Sequence, residues 1–373
     1  MGILIVGGGI GGLATSIALT DRGFDVRVVE IQPDLHSSVY GVGIIQPHNA
    51  LLALEQIGCA QPCMEQGFPA PVWMRMHDVN GDLVRTIPGE RAQGSSLPPL
   101  NGITRPKLHQ ILTSRALDAG VTIDYATTID HLDDQGDHVL AVFSDASSAT
   151  FDLVVGADGV RSTVRQYVHP EVTPTYNGQS AFRVNIPRDE AVDCIYLQMN
   201  DPISTGIVPL ADDLAYLFLN VTWDRSRRPA QEELYLIMKE QLAPFGGLIG
   251  RVRDEWITAE SSIVLRPEEW LIAPPPWHKG RIVLIGDSAH SVLPHLGQGA
   301  AQAIEDGLVL ADELTTRDSV EDAFAAYCDR RYERCKFVVE ACVQLGEWQQ
   351  KADPNANPFA LRQRVNELML EPI

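Results

Sequence analysis

Six residues near the start of the chain, Gly7-Gly8-Gly9-Ile10-Gly11-Gly12, separate an apolar run, Ile3 to Val6, from an amphipathic stretch, Leu13 to Arg22, and leave few folds open. A G-x-G-x-x-G turn between a strand and a helix lets backbone N–H groups and the helix N-terminus hold a pyrophosphate. Gly7, Gly9 and Gly12 fill the three glycine positions, with Ile10 and Gly11 between them. A second strand, Asp25 to Glu30, ends in a carboxylate eighteen residues after Gly12. Such a carboxylate accepts hydrogen bonds from both hydroxyls of an adenosine ribose and repels a ribose 2′-phosphate, so the expected bound dinucleotide is FAD or NAD, not NADP. Strand, turn, helix and strand together open a parallel α/β sheet of the Rossmann type.

The remaining length, to 373 residues with 45% apolar, suits a second associated domain. Gly41 to Ile45 and the helical pattern Asn49 to Ile57 continue the first domain, and the Pro- and Gly-rich stretch Pro62 to Pro99 reads as an excursion out of it. Arg105 to Ala119 reads as a helix, and His138 to Val155 as a hairpin around the turn Asp145 to Ser148. From Ser180 to Val221 short apolar runs alternate with Asp, Pro and Gly turns, the pattern of an antiparallel sheet. Pro274-Pro275-Pro276 is a stiff connector into a buried-type strand, Arg281 to Ile285, followed by a long helix from near Gly299 and more helix from about Val320.

Charge and cysteine content narrow the partners. With 29 Lys and Arg against 49 Asp and Glu, the net charge of −20 disfavours nucleic acid and anionic lipid surfaces. The six cysteines form no C-x-x-C pair, and Cys328, Cys335 and Cys342 recur every seven residues along one helix face, as reduced core residues do. The uncharged first twenty residues are too rich in glycine, and lack the basic start, for a signal peptide or a membrane span. With no other apolar run of spanning length and no lipidation signal, the expectation is no membrane partner and a cytoplasmic address.

A second glycine-bearing region decides between the two dinucleotides. Arg281-Ile282-Val283-Leu284-Ile285-Gly286-Asp287-Ser288-Ala289-His290 is followed by Pro294-His295-Leu296-Gly297-Gln298-Gly299 and by Ala303-Ile304-Glu305-Asp306. Here the sequence resembles the single-component aromatic hydroxylases, the group A flavin monooxygenases of the para-hydroxybenzoate hydroxylase type. The resemblance implies that Gly286 and Asp287 end a strand so that the carboxylate meets the ribityl chain of FAD. It also implies that Gly297, Gln298 and Gly299 open a helix under the isoalloxazine ring. A third signature, Asp152 to Ser162, places Asp158 at FAD and near the nicotinamide donor, and Arg105 matches a family arginine beside the FAD pyrophosphate. The expected fold class is therefore α/β: a Rossmann-like FAD-binding domain (residues 1–70, 101–175 and 274–319) interleaved with an antiparallel-sheet substrate domain (71–100 and 176–273), plus a C-terminal helical segment (320–373).

What the resemblance implies chemically is noncovalent FAD, reduced by NADH or NADPH as a transient donor, since only one G-x-G-x-x-G occurs. Dioxygen then adds to form a flavin C4a-hydroperoxide, which hydroxylates a small phenolic or hydroxypyridine-like ring held between flavin and sheet. Candidate side chains at that ring are His48, Arg183, and the neighbours Pro294 and His295, with no metal ligand among them. Tyr216 and Gln198 lie in the expected sheet, where a single sequence does not fix which face is inward. Other uses of this fold, an alkene reductase, a halogenase or a flavin-binding protein without turnover, stay open, although the halogenase tryptophan pair is absent. A monomer and a homodimer both remain open.

Overall fold

The computed structural model describes residues 1–35 and 43–373. Apolar β-branched runs build the first sheet, in which strands His278–Lys279, Ile282–Leu284, Leu153–Gly156, Gly2–Val6, Asp25–Val29 and Thr122–Asp124 lie in that order. All pairs are parallel except the short outer strand His278–Lys279, and the register sets Ile5 between Val28 and Val155. Ile3, Leu4 and Ile5 are fully buried, as a parallel strand covered on both faces requires. The expected hairpin to Val155 is shorter than its sequence pattern. Strands Val139–Phe143 and Ser148–Phe151 pair antiparallel beside Ile129–Asp134, while Leu153–Gly156 leaves them for the parallel sheet. The intervening Asp152 takes the N–H of Gly2 on its carboxylate, which fixes where the chain changes sheet.

The second sheet has seven strands in the order Val264–Trp270, Thr175–Pro187, Leu214–Thr222, Ile203–Pro209, Ile195–Asn200, Met74–His77 and Leu83–Ile87. Strands Met74–His77 and Leu83–Ile87, drawn from the Pro- and Gly-rich excursion, form its far edge, and the pairing of Ile195–Asn200 with Met74–His77 is its one parallel junction. One face of this sheet carries Phe182, Val184, Leu217 and Leu219 into a core with Ile237, Met238 and Ile249 of two short helices. The expected segment from Gly41 begins among residues outside the described ones; Gly43–Pro47 is a strand paired with Leu100–Thr104.

Helix Ile10–Thr20 crosses helix Gly299–Thr316 at small residues. A methyl group on Gly307 would stand 2.4 Å from the Thr15 hydroxyl, so only glycine admits this approach. Helix Val320–Lys351 then lies along Gly299–Thr316 with Cys328, Cys335 and Cys342 buried and unpaired, and Pro358–Leu370 closes the chain. No described helix is long and apolar enough to cross a membrane.

Candidate functional site

The crossing of those two helices brings both glycine-rich segments to one cleft of about 480 Å³. Gly9, Ile10 and Gly11 line it from one side, Gly286, Asp287, Gly297, Gly299 and Ala300 from another, and Arg105, Arg183 and Tyr216 complete the wall. Gly7 adopts φ +109°, and a methyl group there would meet the Ala157 carbonyl at 2.4 Å, while one on Gly12 would meet the Gly7 carbonyl at 2.0 Å. These two glycines shape the turn from beneath. Gly9 and Gly299 are the opposite case, with open space where a side chain would point. Neither Gly9 nor Gln298, the residues preceding the two helices, caps its helix with a side chain. Two sets of first-turn N–H groups are therefore left facing a cleft that suits anionic ligand groups.

Behind the turn, the Glu30 carboxylate accepts the N–H of Gly8 at 2.7 Å and that of Gln32 at 2.9 Å, and His109 bonds the Gly8 carbonyl at 2.7 Å. Glu30 is thus fixed in orientation by backbone donors, with acceptor capacity left over for ribose hydroxyls. Asp287 keeps its exposure toward the cleft; enclosure by the surrounding protein raises its pKa, against the pull of the His290 and Arg105 charges. The same enclosure lowers that of Arg105, which Asp287 partly offsets. A carboxylate and a guanidinium held in one cleft without an ion pair between them are matched to the hydroxyl chain and phosphates of FAD. The residues present fit that cofactor.

Three expected contacts are turned elsewhere. Asp158 accepts Thr163 N–H at 2.6 Å, Val164 N–H at 3.1 Å and the Ser162 hydroxyl. Its carboxylate is taken up in holding its own loop, and Ala157 and Gly159 are the residues of that loop that reach the cleft. Gln298 is buried with its amide on Asn49 and Gln302, leaving Gly297 and Gly299 to line the cleft. His48 is 4% exposed, bonds the Pro98 carbonyl through Nδ1 at 3.1 Å and receives Ala92 N–H on Nε2 at 3.0 Å. Both ring nitrogens are committed to a loop, and His48 is not among the residues that line the cleft, an arrangement that suits a tether. His48→Ala is expected to cost about 1–3 kcal/mol of stability by stranding two backbone groups. Chemical unfolding with flavin content measured in parallel checks this; loss of turnover at unchanged stability would contradict it.

At Ile45, Arg183, Tyr216, Pro294 and Gly297 the cleft meets a second cavity of about 100 Å³, walled by Trp73, Met74, Leu197, Met199 and Phe218. The strand alternation that sequence left open is now fixed. Tyr216, Phe218 and Asn220 face the cavity, and so do Ile195, Leu197 and Met199. Gln198 points to the other face and donates to the Asp78 carbonyl at 2.6 Å. His295 lines the cavity with neither ring nitrogen hydrogen-bonded among the described residues, and burial beside Arg362 holds it neutral, its pKa down to about 3. Burial also raises the Tyr216 phenol, which the Arg183 charge opposes.

A buried charge network under the cofactor loop has no counterpart in the sequence reading. Asp306, fully buried, accepts Gly286 N–H at 2.8 Å, His290 Nε2 at 2.6 Å and Arg331 Nε at 2.7 Å. Burial opposes ionisation of Asp306, yet the His290 and Arg331 charges hold its pKa down to about 2, and Asp306 in turn holds His290 protonated against burial. Arg331 and Arg334 both bond Glu305, which also takes Asn49 Nδ2 at 2.7 Å. The signal was available: Arg331 and Arg334 fall on the same helix stripe as Cys328 and Cys335.

Asp287→Ala and Glu30→Ala are each expected to weaken FAD retention by about 1–3 kcal/mol, the range of a charge-assisted hydrogen bond. Flavin fluorescence titration of the stripped variants reads this, and unchanged affinity in both would overturn the cofactor placement.

The FAD binding domain family matches residues 1–344 of the chain. The 6-hydroxynicotinate 3-monooxygenase of Pseudomonas fluorescens is 30% identical, over 90% of this chain and 89% of that protein. The 2-heptyl-3-hydroxy-4(1H)-quinolone synthase of Pseudomonas aeruginosa (strain UCBPP-PA14) is 30% identical, over 98% of this chain and 97% of that protein. In fold, the chain is similar to Klebsiella pneumoniae HpxO complexed with FAD and uric acid, with a TM-score of 0.83 at 21% identity, covering 100% of this chain and 93% of that one.

Proposed function

Since the chain belongs to the FAD binding domain family and is a single-component FAD-dependent monooxygenase of the aromatic-ring class, we propose that it hydroxylates a small phenolic or hydroxypyridine-like ring with dioxygen and a transiently bound NADH or NADPH. The observation that carries this reading is the junction of the two cavities, where the cleft that fits FAD opens at Pro294 and Gly297 onto an aromatic-walled chamber. Bound FAD supplies electrons received from the nicotinamide and activates dioxygen for attack on an electron-rich ring. Everything else falls to the chain. Leu197, Met199, Tyr216 and Phe218 stack and enclose the ring and keep water out. Arg183, standing where the two cavities meet, stabilises negative charge on a ring oxygen as a phenolic proton leaves. The N-terminus of helix Gly299–Thr316 offers its N–H groups to the polar edge of the flavin, Gly9 to Gly11 theirs to the pyrophosphate, and Glu30, Arg105 and Asp287 the contacts described above.

In this reading residues 1–70, 101–175 and 274–319 serve the cofactor, 71–100 and 176–273 the ring, and 320–373 brace both. The test is a panel of phenols and hydroxypyridines screened for stimulated NAD(P)H consumption, with product mass measured. Products one oxygen atom heavier than the substrate are expected. Reduction of FAD with no oxygenated product from any compound would refute the proposal.

A further inference from the structure

The ring chamber contains a cation with no counter-ion among the described residues. Arg362, on helix Pro358–Leu370, lines the chamber and gives one N–H, from Nη1, to the His295 carbonyl at 2.7 Å. No carboxylate comes within 4.0 Å of it among the described residues, unlike Arg331 and Arg334, which share Glu305. The shortage is not one of acids, since the chain carries 49 against 29 basic residues. Enclosure lowers the pKa of Arg362, with only the Cys342 thiol acting the other way. Arg362 is half-buried, and holding an enclosed guanidinium short of partners costs free energy unless something pairs it. A tether to one carbonyl needs a single donor, and a guanidinium brings five in a planar fork.

We infer that Arg362 is the specificity-determining residue of the ring chamber and that the substrate is an aromatic anion whose carboxylate it receives. The inference rests on the aromatic-monooxygenase reading and names the substrate class within it. Arg183 is less suited to this task, because it stands at the mouth of the cofactor cleft, where the two cavities meet. Beside Arg362, the neutral His295 ring has neither nitrogen hydrogen-bonded among the described residues, and with Ser204, Asn220 and Gln349 it gives a polar side to a chamber walled elsewhere by Trp73, Met74 and Leu197. On its outer side Arg362 also lines a cavity of about 250 Å³ reaching Arg85, whose guanidinium lies 3.9 Å from the Phe359 ring centre. A carboxylate approaching from that side meets Arg85 and then Arg362, with Glu90 the one acid that lines the same cavity. Arg362 lies beyond the family-matched residues 1–344.

The test uses the FAD-loaded protein and paired probes that differ only in charge, 4-hydroxybenzoate with 4-hydroxybenzamide and 6-hydroxynicotinate with 6-hydroxynicotinamide. Binding is read from the flavin spectrum and from tryptophan fluorescence, to which Trp73 contributes from the chamber wall. At least one acid is expected to bind about tenfold or more tighter than its amide, and Arg362→Met to lower affinity for that acid about a hundredfold while leaving the amide and FAD content unchanged. Should the Met variant lose FAD or melt early, Arg362→Lys keeps the charge without the fork and is expected to lose about tenfold for the acid alone. No preference for either acid in the wild type, or a preference that survives both substitutions, overturns the assignment. If neutral rings are hydroxylated and acids bind no better, the assignment fails alone. If acid preference depends on Arg362 but no ring is oxygenated, the monooxygenase reading fails and the anion site stands.

Discussion

Arg331→Met is expected to destabilise the protein by about 3–5 kcal/mol, the cost of removing one partner from a buried ion network. Methionine restores much of the volume but none of the five donors, and it leaves Asp306 and Glu305, both fully buried, short of a cation. The loss is not confined to the helices. Asp306 also accepts Gly286 N–H, so a reorganised carboxylate loosens the backbone of the loop that presents Asp287 to the cleft. Urea unfolding should show the lowered stability, and FAD should be released at lower denaturant than in the wild type. Arg334→Met serves as the comparison, because Glu305 keeps Arg331 and Asn49 when Arg334 is removed. A loss below about 1 kcal/mol for Arg331→Met would mean the network is replaceable by apolar packing, as some buried ion networks are.

The second large effect concerns Glu268, a carboxyl 4% exposed on strand Val264–Trp270 with neither oxygen hydrogen-bonded. Burial pushes its pKa from 4.5 up to about 7, against the charge of Arg183 and the amide of Asn177 on the neighbouring strand Thr175–Pro187; Tyr176 of that strand and Cys342 of helix Val320–Lys351 are further polar side chains near it. The folded protein therefore holds this proton where the unfolded chain releases it. Stability from that difference is fully present below pH 4.5 and is lost as pH rises to about 7, at about 1.4 kcal/mol per pH unit. Glu268→Gln keeps the shape and removes the titration. The variant should match the wild type near pH 4 and exceed it by about 3 kcal/mol at pH 8. Parallel stability profiles from pH 4 to pH 8 would rule this out.

The parts of this molecule that sequence made legible are those whose chemistry is local. A glycine turn between strand and helix, a carboxylate ending the next strand, and Gly286-Asp287 ending a third are each set by a few consecutive residues. The structure brings Gly9, Asp287, Arg105 and Gly299 to one cleft. What was not legible depends on remote neighbours. Nothing around His48 announces that Ala92 and Pro98 will occupy both its nitrogens. Tyr216 and Gln198 are told apart by which sheet face the two short helices cover, a fact of tertiary packing. Asp158 is a different lesson, because the family pattern points to a loop whose Ala157 and Gly159 line the cleft while its own neighbours, Ser162 to Val164, claim the carboxylate. At the hairpin boundary, Gly2 gives its N–H to the Asp152 carboxylate and takes the Asp152 N–H on its carbonyl, a pairing across a long intervening stretch of chain.

The crossing of helix Ile10–Thr20 with helix Gly299–Thr316 has a consequence for how the protein is made. The glycine turn leaves the ribosome long before the strand Ile282–Leu284 and the helix that completes its cleft. Closing so long a loop is slow and is rewarded only when the distant elements dock. A nascent chain therefore exposes the turn and its hydrophobic strand, with no cleft to complete, until those later segments emerge. Cofactor capture becomes a late event that reports on the integrity of the whole chain, and fragments ending before Gly286 should emerge colourless and dependent on chaperones.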